Sequence, residues 1–157
     1  MKGEIEKRQI RVLIGNSERA FNEFVSLFIS KRLGDRYELS FMTAGYGEDL
    51  LKLAEEHPFD IFILIPNNIL FKRKNLLIEE RSRKLLEIIG HLRATYEKPI
   101  IAASAFWTRD TSFAKEAKLA GVSCYLDMPF KHEEFLESFR RLLEVGPEVG
   151  NGQAEKG

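Results

Sequence analysis

A doubly wound α/β fold on a five-stranded parallel sheet is predicted by three observations. Five short β-rich runs alternate with five stretches of helical periodicity along the 157 residues. The run "DIFILIP" at 60–66 places five consecutive apolar residues between an aspartate and a proline. That is too short for a helix and has no polar face, as in a central strand covered on both sides. At "RVLIGNSE" (11–18) a strand, a tight turn and a helix follow one another. Such junctions, at the carboxyl ends of parallel strands, are where α/β proteins keep their functional crevice.

The elements follow in order. The first strand is expected at 10–14. Phe21, Phe24, Val25 and Phe28 then recur at three- and four-residue spacing, an amphipathic helix. Asn16 or Ser17 is expected to cap it, with Gly15 allowing a tight approach. Residues 37–42 alternate apolar with polar, as a half-buried strand does. Gly45 and Gly47 break the chain before a helix carrying Leu50, Leu51, Leu53 and Ala54, which His57-Pro58 ends. Beyond the third strand lies a basic loop, "FKRKN", and a long helix with Leu85, Ile88, Ile89 and Leu92 on one face. "KPIIAASA" is the fourth strand; Phe113, Ala117 and Ala120 mark a helix stopped by Gly121. "VSCYLDMPF" is the fifth strand, and 133–143 a closing helix with Phe135, Phe139 and Leu142 in line.

Length suits one domain, expected at 9–145, after an N-terminal extension at 1–8 and before a glycine-rich tail or linker at 146–157. Lysine plus arginine equal aspartate plus glutamate at 24 each, so no global charge draws the chain to nucleic acid or an anionic membrane. No apolar run approaches the ~20 residues of a bilayer span. The N-terminus lacks the apolar core of a signal peptide. One cysteine, Cys124, forms no internal disulfide and lies in an apolar strand, more in keeping with core than with a reactive thiol. The expected setting is cytoplasmic. His57, His91 and His132 have no ligand spacing, and no glycine-rich phosphate loop follows any strand, so neither metal nor cofactor is implied.

In their order, several segments resemble the receiver domain of two-component response regulators. "AGYGEDLLKLAEEHPFDIFIL" is similar to its Ala-x-x-Gly-x-Glu-x-Leu helix and third strand. "PIIAASA" resembles the fourth strand with its Ser/Thr-Ala end, "AGVSCYLDMPF" the Ala-Gly-Ala-x-x-Tyr-Leu-x-Lys-Pro-Phe segment, and "EEFLESFRRLL" the last helix. The resemblance implies a flavodoxin-like sheet of strand order 2-1-3-4-5 with helices on both faces. It also implies two acids after the first strand holding Mg²⁺, an aspartate ending the third as phosphoryl acceptor, and a lysine after the fifth.

Those positions fall on Asn16, Ser17, Ile65 and Met128, and none carries the implied group. No carboxylate occurs anywhere from 61 to 75, so a shift of register does not restore the nucleophile. A hydrocarbon accepts no phosphate, and neutral ligands hold Mg²⁺ poorly because it gives up its waters reluctantly. The pocket is neutralised as a unit, which points to a pseudo-receiver: a non-enzymatic signalling module working by protein–protein contact.

Other features keep two readings each. Ser104 matches the phosphoryl-sensing Ser/Thr and Tyr125 the aromatic that moves with it; they form either a partner-biased switch or ordinary strand-end packing. Pro129 matches the proline after strand five, often preceded by a cis bond. Phe106 and Trp107 either anchor a partner or cover the top of the sheet. Asn16 and Ser17, with Asn67 and Asn68, offer either a cap or a shelf for a neutral ligand, which would make the domain a small-ligand sensor. The basic insertion at 71–84 is either a solvated loop and helix or a dock for an acidic partner, with nucleic acid disfavoured by the overall charge balance. A receiver phosphorylated at an unexpected residue is a further alternative. Self-pairing, if it occurs, is implied at the face of helix four, strand five and helix five, near Lys118, Tyr125 and Arg140. Strand alternation turns Asp127 away from the side Met128 lines.

Overall fold

The computed structural model describes residues 6–105 and 111–146. Phe106, Trp107 and the residues from 147 onward lie outside them.

Five parallel strands form one sheet in the order β2-β1-β3-β4-β5. They are β1 (Arg8–Gly15), β2 (Tyr37–Ala44), β3 (Ile61–Leu64), β4 (Ile100–Ala105) and β5 (Cys124–Met128). The helices are α1 (Arg19–Leu33), α2 (Gly47–Glu56), α3 (Ile78–Tyr96), α4 (Thr111–Ala120) and α5 (His132–Val145), with a single 3-10 turn at Pro66–Asn68. The order agrees with the sequence-based expectation. Val12 lies opposite Ile61, Leu64 opposite Ala102, and Ala105 opposite Met128.

Alternation along the buried strands divides the core into two layers. Ile10, Val12, Ile14, Ile61, Ile63, Ile65, Ile101 and Ala103 face α1 and α5, where Val25, Ile29, Phe135 and Phe139 meet them. Leu13, Phe62, Leu64, Ile100 and Ala102 face the other side, against Leu50 of α2, Leu85, Ile88 and Leu92 of α3, and Ala117 of α4. The all-apolar "IFIL" strand results from having both faces covered. Each fully buried Leu, Ile or Phe side chain contributes roughly 1.5–3 kcal/mol. Asp60, just before β3, pins β1 with its carboxylate, which accepts from Arg11 N at 2.8 Å.

Two helices differ from expectation. The buried stripe of α1 is Asn22, Val25, Ile29 and Leu33, not its phenylalanines. Phe24 is 41% exposed and stacks on Phe28, and both rings lie against His132 of α5. The aromatics flank the inward stripe and clasp the neighbouring helix. Gly47, expected to interrupt the chain, is the first residue of α2 and is buried. A Cβ there would come within 2.5 Å of the Phe71 ring, so the close approach of the 71–77 loop to α2 requires glycine. None of the helices, among the described residues, is long and apolar enough to cross a membrane.

Candidate functional site

The carboxyl ends of β1, β3, β4 and β5 define the crevice. At the end of β1 the chain passes through Asn16, whose N–H continues the ladder by donating to Ala44 O at 2.9 Å. Its side chain turns inward and is almost wholly buried. Asn16 Nδ2 donates to Asn22 Oδ1 at 2.9 Å and to Glu18 O at 3.2 Å, while Asn22 Nδ2 returns a bond to Asn16 O at 2.9 Å. This reciprocal amide pair fixes which way both side chains point. It leaves Asn16 Oδ1 buried without a partner among the described residues.

The cap expected from Asn16 or Ser17 is absent. The N-cap of α1 is Glu18, in extended conformation, and no side chain caps the helix. Asn16 is committed to Asn22 in the first turn of α1, and Ser17 to the facing loop. Ser17 N and Ser17 Oγ both donate to Asn68 O, at 2.9 and 2.6 Å.

Ile65 follows β3 and is 1% exposed, within the apolar cluster formed with α1 and α5. Its N–H donates to Gly15 O at 2.9 Å, and its carbonyl accepts from Asn68 N at 2.9 Å. The backbone is thus held as a strand end followed by one tight turn. Met128 is half-buried and packs against the same cluster, whereas Asp127 is exposed, as alternation requires. Met128-Pro129 is a cis peptide bond.

Ser104 and Tyr125 lie two register steps apart on the other face of the sheet, where Ser104 Oγ and Tyr125 Oη are 2.8 Å apart. Ser104 is buried; Tyr125 is half-buried and meets Phe113 of α4 edge-on. The sheet therefore divides the candidate residues. Asn16, Ile65 and Met128 belong to the α1–α5 side, Ser104 and Tyr125 to the α4 side. Cys124, half-buried, packs with the first group, its Sγ 3.5 Å from Ser138 Oγ.

The sequence reading missed Arg81. Its Nη2 lies 2.8 Å from Pro66 O, 3.1 Å from Asn67 O and 2.6 Å from Ile69 O. With Ser17 on Asn68 O, four consecutive carbonyls beyond β3 are taken by the protein's own donors. Arg81 is half-buried, and desolvation lowers its pKa from the usual arginine value. No carboxylate among the described residues pairs with it; carbonyl dipoles alone compensate its charge. The signal was available, since Arg81 shares the inward stripe of α3 with Leu85, Ile88 and Leu92.

These groups do not fit Mg²⁺. The metal prefers carboxylate oxygens and near-octahedral geometry. Here one amide is paired with Asn22, a hydroxyl donates to a carbonyl, and a guanidinium covers three carbonyls of the loop. Glu18, the first acid after β1 along the sequence, is exposed. Among the described residues no group of three or more His, Cys, Asp or Glu side chains is arranged to hold a metal ion.

No protein-family model matches the chain, and no curated protein matches it in sequence. Solved structures do match. A response regulator from Thermotoga maritima superposes with a TM-score of 0.65 at 14% identity, covering 87% of this chain and 99% of its own. The signal receiver domain of an HD domain-containing protein from Pseudomonas fluorescens Pf-5 gives 0.67 at 17% identity, covering 99% and 98%. The receiver domain of NtrX from Brucella abortus gives 0.65 at 16% identity, covering 86% and 99%. Topology, the crevice at the strand ends and these superpositions together give the chain the receiver fold of two-component response regulators.

Proposed function

We propose that the domain is a pseudo-receiver: a non-enzymatic signalling module that works through protein–protein contact without aspartyl phosphorylation. The observation that carries this is Ile65, a buried hydrocarbon where the acceptor carboxylate would stand, in a stretch from 61 to 75 that has no acid. The hydrogen bonding of carbonyls 66–69 supports it, because Arg81 and Ser17 already donate to the backbone oxygens of the loop. The Ser104–Tyr125 bond gives the scaffold one element with two possible arrangements, paired or released, that a partner can bias.

Titration of ¹⁵N-labelled protein with Mg²⁺ and then beryllofluoride tests this. The expected result is unchanged amide shifts at 15–18, 64–69 and 104. Saturable shifts there would overturn the proposal.

Self-pairing through α4, β5 and α5 is a second reading, favoured by Leu119, which is 88% exposed on α4. Arg140 on that face is already engaged by Glu137 and Glu144 of its own helix. Sedimentation of the wild type and Leu119→Ser distinguishes the cases: a dimer lost in the variant supports pairing, and a monomer in both excludes it.

A further inference from the structure

β2 is an edge of the sheet, paired with β1 on one side only. The bond that Asn16 N donates to Ala44 O fixes which of its backbone groups face β1. Along a strand, residues turn their N–H and C=O alternately to one neighbour and to the other. The even-numbered residues of β2 therefore bond to β1. Tyr37, Leu39, Phe41 and Thr43 direct both groups outward, and among the described residues no other part of the chain bonds to them.

Nothing blunts this edge. Sheet edges are commonly protected by lysine, proline, a bulge or short length. β2 is 8 residues long, holds no proline, lysine or arginine, and keeps an unbroken register with β1 from Tyr37 to Ala44. The opposite edge, β5, has 5 residues, carries the exposed Asp127 and runs into Pro129. Beside the first half of β2 the flanking residues are small, Ser30 on α1 and Gly34 at its end. With Lys7, Glu38 and Leu39 they line an open space of about 480 Å³.

We propose that a second copy of this chain docks on the edge, its β2 antiparallel to the first about a two-fold axis at Ser40. Leu39 then lies opposite the copy's Phe41, and Tyr37 opposite its Thr43. Every outward N–H and C=O from 37 to 43 is met by one from the copy. The registers on either side that keep the same faces together leave Thr43 or Tyr37 unmatched. On the α1 side, Leu39 and Phe41 are half-buried in the single chain and cover each other across the axis. On the other face Glu38 meets the exposed Met42, and Ser40 meets its own counterpart.

The side chains select this occupant. Glu38 is the one charge in the strand, and the axis keeps it four residues from its like, roughly 13–14 Å at 3.4 Å per residue. An anionic bilayer or nucleic acid calls for cations, which β2 lacks. A second copy supplies the matching apolar pairs by symmetry, as in other two-fold assemblies. The joined sheet sends the two crevices to opposite ends and places α4, β5 and α5 at its outer margins. The inference does not depend on the chemistry of the crevice.

The test uses the full chain. Sedimentation up to millimolar concentration is expected to show a monomer–dimer equilibrium. Amide exchange at 39, 41 and 43 should slow as concentration rises, and change less at 38, 40 and 42, already bonded to β1. Ser40→Lys, at an exposed position, sets two lysines face to face and should weaken the dimer about tenfold or more, with amide shifts of β1 and β3 unchanged. Ser40→Cys should cross-link to its counterpart under mild oxidation. Facing residues of a non-hydrogen-bonded antiparallel pair have Cα atoms about 4.5 Å apart, within disulfide reach. Glu38→Cys and the wild type, with only Cys124, should not cross-link. A monomer at every concentration overturns the inference and leaves the edge to a strand of another protein. It is equally overturned by a dimer that Ser40→Lys leaves intact, by cross-linking of Glu38→Cys in place of Ser40→Cys, or by a dimer that Leu119→Ser abolishes.

Discussion

The crevice and the 70–84 segment lie at the same end of the sheet and are opposites in chemistry. In the crevice, polar atoms are spent internally: Asn16 on Asn22, Ser17 on Asn68, and Ser104 on Tyr125. Ile65 and Met128 fill in with hydrocarbon. In the neighbouring segment, leucine, isoleucine, arginine and lysine side chains face solvent. Arg81 joins the two regions, fastening the loop of the first from the helix of the second. The contrast teaches that one end of the sheet can be closed by internal hydrogen bonds and hydrocarbon while the segment next to it faces solvent, because sheet and helices are held by the apolar layers.

The sharpest way to break the contrast is to put charge back into the crevice. Ile65→Asp would bury a carboxylate in a layer of isoleucine and phenylalanine without a cation beside it. We expect a loss of about 3–5 kcal/mol at neutral pH, read by urea denaturation. Burial raises the folded-state pKa of this acid, so the ionisation part of the penalty is full above that pKa and disappears below the unfolded value near ~4, leaving the cost of a neutral acid in place of isoleucine. Stability relative to wild type therefore improves as pH falls. A variant as stable as wild type at neutral pH would mean the crevice is wetter than described.

Removing the link between the regions comes next. Arg81→Met deletes three hydrogen bonds from a half-exposed cation, and solvent screening keeps the expected cost to about 1–3 kcal/mol. The amide of Asn68 should exchange faster as the turn loosens. If neither stability nor exchange changes, the loop holds itself and Arg81 does not fasten it.

Tyr125→Phe removes the bond to Ser104, with an expected cost of about 1 kcal/mol. Chemical shifts should change around β4 and β5 but not at Asn16 or Ile65, because the sheet separates the two groups. Matching shifts on both sides would show that the crevice acts as one unit.

The smallest effect is on the α1–α5 face. Arg32 bonds Glu133 in a two-pronged pair and holds its carboxyl below the ordinary glutamate pKa. Any stability it adds is present above the unfolded pKa and lost as pH falls through the lower folded one. Both side chains are in water, so Arg32→Ala should raise the Glu133 pKa by NMR titration while the denaturation midpoint stays put.

The fold was legible because its layers are written in periodicity. "IFIL" declares two-sided burial, and the stripe at Leu85, Ile88 and Leu92 one buried helix face, without reference to partners. Ile65 was legible as a missing acid for the same reason, since a hydrocarbon at a strand end needs only to be counted. Hydrogen-bond destinations were not. Asn16 and Ser17 suit a cap by residue type, yet the turn aims them at Asn22 and Asn68, and only three-dimensional geometry shows that. Arg81 looked like one charge in a basic run, although its place on the inward stripe of α3 distinguished it. On α1 the phenylalanine spacing was real but marked the flank clasping α5, because three- and four-residue steps describe neighbouring stripes equally well.

The most direct test of the central claim is the intact mass of the protein after incubation with acetyl phosphate and Mg²⁺. We expect the mass to remain that of the unmodified chain, with Ile65→Asp as the matched comparison at a pH where it stays folded. Stoichiometric gain of one phosphoryl group by the wild-type chain, mapped to a residue at the carboxyl end of the sheet, would contradict it.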